Sequence, residues 1–242
     1  MHLIKYFIFG SLLLLVGCSH VVRFPGSMNQ RPQIAGRTLG GNIEFALNGA
    51  TEVVVFSDYT ANPPVRKGSG SIEPHLGVGG GIFAGLGLVE SLDVYYTNAL
   101  GLRWLFYGDP NGKEWRATVF GGSVGRTEES STNSGSNTYK ARTVLNGWEY
   151  GVSVGRYVEE QLLLYFTVGT QTGSGKTTVS QPSQSFDYDD RFDHLVGTMG
   201  LQVESINKSF YFLAEVSTTK TTWAGTDGNA AGSGLLGLGF KW

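Results

Sequence analysis

The chain has 242 residues, a formal net charge of −2 and a mean hydropathy of −0.07. That charge balance gives no reason to expect nucleic acid as a partner, and the single cysteine, Cys18, excludes an intrachain disulfide. With 36 glycines, 14 Phe, 11 Tyr, 5 Trp and only 16 % charged residues, the composition departs from that of ordinary soluble domains, where about 25 % is charged.

The first element is a leader. His2 and Lys5 precede an apolar run from Tyr6 to Val16, and the small residue Gly17 stands before Cys18. A basic head, a short apolar stretch and a small residue describe a secretory signal peptide over 1–17, too short for a stop-transfer helix. The run Leu15-Val16-Gly17-Cys18 resembles the bacterial lipobox. The resemblance implies a lipoprotein whose Cys18 carries palmitate or a like acyl chain and becomes the mature N-terminus. One acyl chain holds a protein only marginally, whereas several together anchor it stably. Residues 18–36 follow, with Pro25, Pro32 and no sustained period. They read as a lipidated N-terminus on a flexible tether that reaches at most about 60 Å.

From residue 37 onward the hydrophobic period is two. Leu76, Val78, Ile82, Ala84, Leu86 and Leu88 share one face, opposite a row that includes Gly77, Gly79, Gly81, Gly85 and Gly87. Trp148, Tyr150, Val152 and Val154 oppose Glu149, Gly151, Ser153 and Gly155; Phe210, Phe212, Ala214 and Val216 oppose Tyr211, Leu213, Glu215 and Ser217. The pattern predicts strands at 38–48, 75–88, 91–96, 100–107, 114–126, 141–157, 161–172, 192–204, 209–221 and 234–242. Short connectors alternate with long polar ones at roughly 49–74, 127–140, 173–191 and 222–233. A soluble sandwich would turn the apolar face inward, and the period alone fits both arrangements. The leader and the alternation of connector lengths favour apolar-out: a transmembrane antiparallel β-barrel with short periplasmic turns and longer outer loops. Ten strands are expected, eight if 38–48 and the 91–107 hairpin are misread.

The chain closes on Leu236, Leu238, Phe240 and Trp242, alternating with Gly237, Gly239 and Lys241. This tail resembles the closing strand of bacterial outer-membrane barrels, whose assembly signal reads Gly-x-x-apolar-x-aromatic. Gly237, Phe240 and Trp242 fill those places. The resemblance to a small outer-membrane β-barrel that is also a lipoprotein implies a location in the bacterial outer membrane. It also implies outer-membrane lipids and the barrel-assembly machinery as partners, with both chain ends on the periplasmic side. An envelope or surface protein is a further partner reached through the outer loops.

Chemistry-bearing motifs are sparse. Gly173-Ser-Gly-Lys-Thr-Thr178 resembles the tail of a nucleotide-binding loop, but Thr170 stands where the full motif needs glycine, so no nucleotide is expected. Residues 187–194 gather four aspartates, Arg191 and His194. Omptin proteases of the outer membrane use Asp/His pairs at the rim, yet Asp193 and His194 are strand neighbours that point to opposite faces. The cluster reads as a solvated acidic outer loop, without catalytic residues, metal or cofactor. The inward-facing charges say more. Glu44, Asp93, Arg103, Arg116, Glu149 and Glu215 all fall on the lumen face by alternation, and buried ions must be paired or solvated. A three-residue turn at 97–99 sets opposing residue numbers to sum to 196, which puts Asp93 directly across from Arg103. A structural or surface-interaction barrel is the leading reading, not an enzyme. A narrow channel for small solutes and a barrel enzyme acting at the membrane rim are the alternatives.

Overall fold

The computed structural model describes residues 18–33, 38–67, 72–97, 99–110, 112, 114–228 and 230–242, with the side chains of 72–80 and 227 outside that description. The expected leader, including Leu15 to Gly17 of the lipobox, lies outside the described residues. Among the described residues there are thirteen strands: β1 His20–Pro25, β2 Gly41–Asp58, β3 Val65–Arg66, β4 Ile72–Val89, β5 Leu92–Tyr96, β6 Leu100–Tyr107, β7 Arg116–Ser134, β8 Asn137–Glu159, β9 Leu162–Gln181, β10 Gln184–Glu204, β11 Phe210–Trp223, β12 Thr226–Asp227 and β13 Ala231–Lys241.

Ten of these close a ring in the order β2-β13-β11-β10-β9-β8-β7-β6-β5-β4, with β4 returning to β2. Every pairing is antiparallel, so the wall is a meander sealed between its first and last strands. Closure removes the unpaired edges that an open sheet would leave. At the seam, Gly41 and Trp242 exchange backbone hydrogen bonds of 3.0 and 3.1 Å. The eight-strand alternative is therefore replaced by ten: β5 and β6 form a real hairpin, and β2 begins the wall.

The outer surface shows why the strands face as they do. On β8, Trp148, Tyr150, Val152, Val154 and Val158 are exposed. Ten residues at about 3.4 Å rise and a tilt of about 40° span some 26 Å, close to the ~25 Å apolar band of a membrane-spanning barrel. The band continues through Leu164, Phe166 and Val168, then Leu195, Met199, Leu201 and Val203. Trp115, Phe210, Phe240 and Trp242 crowd its edge at the short-turn end, the usual place for aromatic rings at a lipid–water boundary.

Two expectations change. The stretches 127–140 and 173–191 are not loops but continuations of β7 to β10 beyond the band, joined by tight turns. There the alternation persists while its apolar member changes face. On β10, Phe192 is buried and Phe186 and Tyr188 half-buried, while Asp187, Asp189, Arg191 and Asp193 are exposed. The acidic run is thus part of a strand, not a loop: three of its aspartates face water, while Asp190 is buried and accepts from Arg66 at 2.5 Å and from the Trp223 indole at 3.1 Å. Likewise Gly173–Thr178 lies within β9, and the second half of β2 replaces the first part of the predicted 49–74 loop.

The second change concerns residues 18–33, expected as a flexible tether. Residues 20–25 are β1, paired with the far half of β2. Its buried face, His20, Val22 and Phe24, seals an apolar core with Val55, Phe56, Leu145, Val179, Phe192 and Trp223. Residues 26–33 then run down the lumen, almost all of them buried. A ten-stranded wall is wider than the eight-stranded kind that side chains alone can fill, and an extended segment of the chain's own N-terminus occupies the difference.

Candidate functional site

The lumen gathers most of the buried polar chemistry among the described residues, and the inner segment organises it. The Nη1 group of Arg31 donates to Glu44 at 2.8 Å and its Nη2 to the Tyr211 hydroxyl at 3.0 Å. Asn29, whose backbone sits in the left-handed region (φ 50°), donates to the other Glu44 oxygen at 2.8 Å; asparagine tolerates that conformation better than most side chains. Ser27 and Tyr165 both donate to Glu215. Glu149 accepts from Gln171 at 2.7 Å, Tyr95 at 3.2 Å and Gln30 at 3.5 Å. At the short-turn end, Gln33 donates to Tyr157 and Glu204, and Lys241 donates to Glu204 at 2.6 Å.

Asp93 and Arg103 are register partners on β5 and β6. Nη2 and Nε of Arg103 donate to the two Asp93 oxygens at 2.7 and 3.1 Å, and Nη1 reaches the Arg31 carbonyl at 3.3 Å. Two tyrosines reach their acids by lying over glycines: Tyr165 covers Gly200, and Tyr211 covers Gly239. A side chain at either glycine would strike the ring.

The six inward charges do not form one network. Glu44 and Glu215 are served from the inner segment, Glu149 by amides and a phenol, and Asp93 by Arg103. Arg116 is buried; its guanidinium caps the carbonyls of Pro110 and Gly112 and lies 5.0 Å over the Tyr157 ring. The residues that complete the lumen, Ser27, Asn29, Gln30, Arg31 and Gln33, had no sequence signal beyond being polar. Glu204 carried one, because it keeps the even parity of the inward residues of β10.

The three residues expected to form the assembly signal divide between faces. Gly237 lies inside against Glu44 and Ala46. Phe240 and Trp242 lie outside, the Phe240 ring meeting Phe210 at a tilt of 58° with 4.4 Å between ring centres. His194 is buried between the Thr221 hydroxyl at 2.7 Å and the Pro25 carbonyl at 2.9 Å, while Asp193 faces outward. This histidine holds β1 in place and shares no carboxylate with its neighbour. Among the described residues, no cluster of three His, Cys, Asp or Glu side chains is disposed to hold a metal ion.

Cys18 is half-buried against the apolar core, and its carbonyl accepts a 3.0 Å hydrogen bond from the Tyr59 amide, one residue past the end of β2. Trp242 pairs with Gly41 at the start of β2. The two ends of the described chain therefore lie at opposite ends of the barrel, not together on one side as expected. The inner segment carries the backbone from one end to the other, because the lumen acids take their donors from it.

No protein-family model matches the chain, and no curated protein does. Among solved structures, it is similar to the attachment invasion locus protein Ail of Yersinia pestis in complex with the heparin analogue sucrose octasulfate. Identity is 13 %, covering 85 % of this chain and 99 % of that one, with a TM-score of 0.39. It is also similar to the outer membrane protease OmpT of Escherichia coli, at 9 % identity over 93 % and 96 % of the two chains, TM-score 0.41. At that level of identity and superposition the likenesses say nothing about activity, and the barrel stands on its own strand pairing.

Proposed function

We propose that this protein is an outer-membrane β-barrel whose work is done by the surface it presents beyond the membrane, with a closed lumen. One observation carries the reading. The wall rises far past the apolar band as an extended β7–β11 sheet with a polar exterior and its own apolar core. A barrel built only to span a bilayer has no use for such height. Inside the band, the inner segment fills the passage that a channel would need open. Among the described residues, the Asp/His cluster that could have argued for rim catalysis is split between faces.

Orientation follows from the habit of outer-membrane barrels, with tight turns on the periplasmic side and long hairpins outside. The partner is an envelope or surface protein that meets the hairpins. Outer-membrane lipids cover the band, and Gly237, Phe240 and Trp242 serve the assembly machinery. The lipobox-like run makes Cys18 an acylated N-terminus in this reading.

Surface labelling of intact cells tests the reading. An impermeant amine reagent should modify Lys140 and Lys176, which are exposed on the far halves of β8 and β9, and spare Lys208 in a short turn. Shortening the two tall hairpins at 127–144 and 174–191 should keep the barrel in the membrane and abolish its contact with the partner. Labelling of Lys208 in place of Lys140 would reverse the orientation, and partner contact that survives the shortened hairpins would refute the surface role.

A further inference from the structure

We infer that the chain threads its own barrel and presents its N-terminus, Cys18, on the outer face of the membrane beside the hairpin tips. The inference rests on the orientation proposed above and adds to it the side on which the first residue of the mature chain emerges.

Contacts of the described residues fix the path on both sides of 34–37, which lie outside the described residues. At the short-turn end, Leu39 and Gly40 bond the two backbone groups of Gly87, and Gly41 pairs with Trp242. From there toward the tall end, the chain meets Glu204 and Tyr157 through Gln33, Glu44 and Tyr211 through Arg31, and the Thr167 hydroxyl through the Gln30 carbonyl at 2.6 Å. It then meets Glu215 through Ser27, and the amide of Gly26 bonds the Gly49 carbonyl. From Pro25 the six-residue β1 continues along β2, and the Tyr59 amide bonds Cys18.

Two physical terms hold the threaded path. The carboxylates of Glu44, Glu149 and Glu215 are buried, and each takes hydrogen bonds from the segment. Withdrawing it would strip buried carboxyl groups of hydrogen-bond partners. Beyond the band, Val22 and Phe24 are fully buried, so leaving would also expose an apolar core.

Height gives the consequence. The Tyr59 carbonyl accepts from Gln181 at 3.2 Å, so Cys18 lies near the far end of β9, whose residue Thr170 pairs with Leu195 at the edge of the band. Eleven residues at about 3.4 Å and a tilt of about 40° put it roughly 28 Å past that edge. A lipid at Cys18 therefore cannot lie in the periplasmic leaflet of the assembled protein, and a modification made on the periplasmic side has to precede threading.

The experiment uses the full chain with Ser19→Cys, which is exposed and next to Cys18. Gly135→Cys in the β7–β8 turn and Asn207→Cys in a short turn, each made with Cys18→Ala, mark the two sides. Intact and permeabilised cells are treated with a membrane-impermeant maleimide. We expect Ser19→Cys and Gly135→Cys to label equally with or without permeabilisation, and Asn207→Cys only after it. Labelling of Ser19→Cys only after permeabilisation, with Gly135→Cys labelled on intact cells, would overturn the threading. A Gly135→Cys chain silent on intact cells would remove the orientation itself, and the inference with it. Because a new thiol can disturb a turn, heat-modifiable gel migration identifies the folded fraction in which the labels are read.

Discussion

Consider breaking the Asp93–Arg103 pair. Asp93 is fully buried and Arg103 is 4 % exposed, so neither charge can turn to bulk water when its partner is removed. Breaking a buried pair in this way costs about 3–5 kcal/mol. The structure also ranks the two single changes. Asp93→Ala leaves Arg103 with the Arg31 carbonyl, whereas Arg103→Ala takes from Asp93 both hydrogen bonds that Arg103 donates. Arg103→Ala should therefore be the more damaging, toward ~5 kcal/mol, with Asp93→Ala nearer ~3. The double variant leaves no unpaired ion at this site and should fall short of the sum of the two by about 2 kcal/mol. Urea unfolding of protein refolded into lipid vesicles, followed by tryptophan fluorescence, measures all four corners of the cycle. A double variant equal to the sum of the singles would refute the coupling, and Asp93→Ala as the costlier single would refute the role given to the Arg31 carbonyl.

Burial holds the His20 imidazole down at about 4, below its ordinary value of 6.5, between the neutral hydroxyls of Ser130 and Thr143. Since the unfolded chain binds this proton first, the stability that His20 contributes should be complete above pH 6.5 and fall as pH drops toward 4, by about 3 kcal/mol for this residue. Urea midpoints at pH 7.5 and 5 that differ equally in wild type and His20→Gln would show that His20 is not the titrating group. Gly239→Ala should push the Tyr211 ring away from Glu44 and Arg31 and cost about 1–3 kcal/mol, as read by vesicle unfolding; an unchanged midpoint would mean that the ring has room to move. Cys18→Ala should lose incorporated radioactive fatty acid yet leave the assembled barrel in the outer membrane fraction, because ten strands hold it there. Label persisting on the variant would remove the acylation site.

The wall within the band was readable because one parity there is consistently apolar. The residues from Trp148 to Val154, from Leu164 to Val168 and from Phe210 to Val216 face lipid, and their partners do not. The same parity set the 196 register of the β5–β6 hairpin, where Leu92 lies opposite Trp104 and Asp93 opposite Arg103. Beyond the band the strands run on in water, so the apolar member moves to the inner face. A reader following one parity from Val203 to Leu195 loses the pattern at Asp193, although Phe192, Tyr188 and Phe186 continue it on the other. That reversal turned long strands into apparent loops. Residues 26–33 were illegible for a different reason. A segment surrounded by a polar lumen has no apolar face, so Ser27, Asn29, Gln30, Arg31 and Gln33 carry no period and look like linker. Their partners, Glu44, Glu149 and Glu215, were visible as inward charges without visible donors. That deficit was the one trace the inner segment left in the sequence.

The change of face along β10 also fixes a stand-off distance. From Leu195 to the turn before Gln184, eleven residues at about 3.4 Å and a tilt of about 40° rise close to 30 Å. The headgroup zone on one side of a bilayer is only about 5–7 Å thick. The tips are thus held more than 20 Å clear of the lipid by a rigid sheathed column, whose stiffness comes from Phe24, Phe192 and Trp223 packed at its centre. Whatever binds there meets the protein at arm's length and in a fixed orientation. A hairpin shortened by a few residues would lower the meeting point by a calculable step, so reach and recognition can be varied separately.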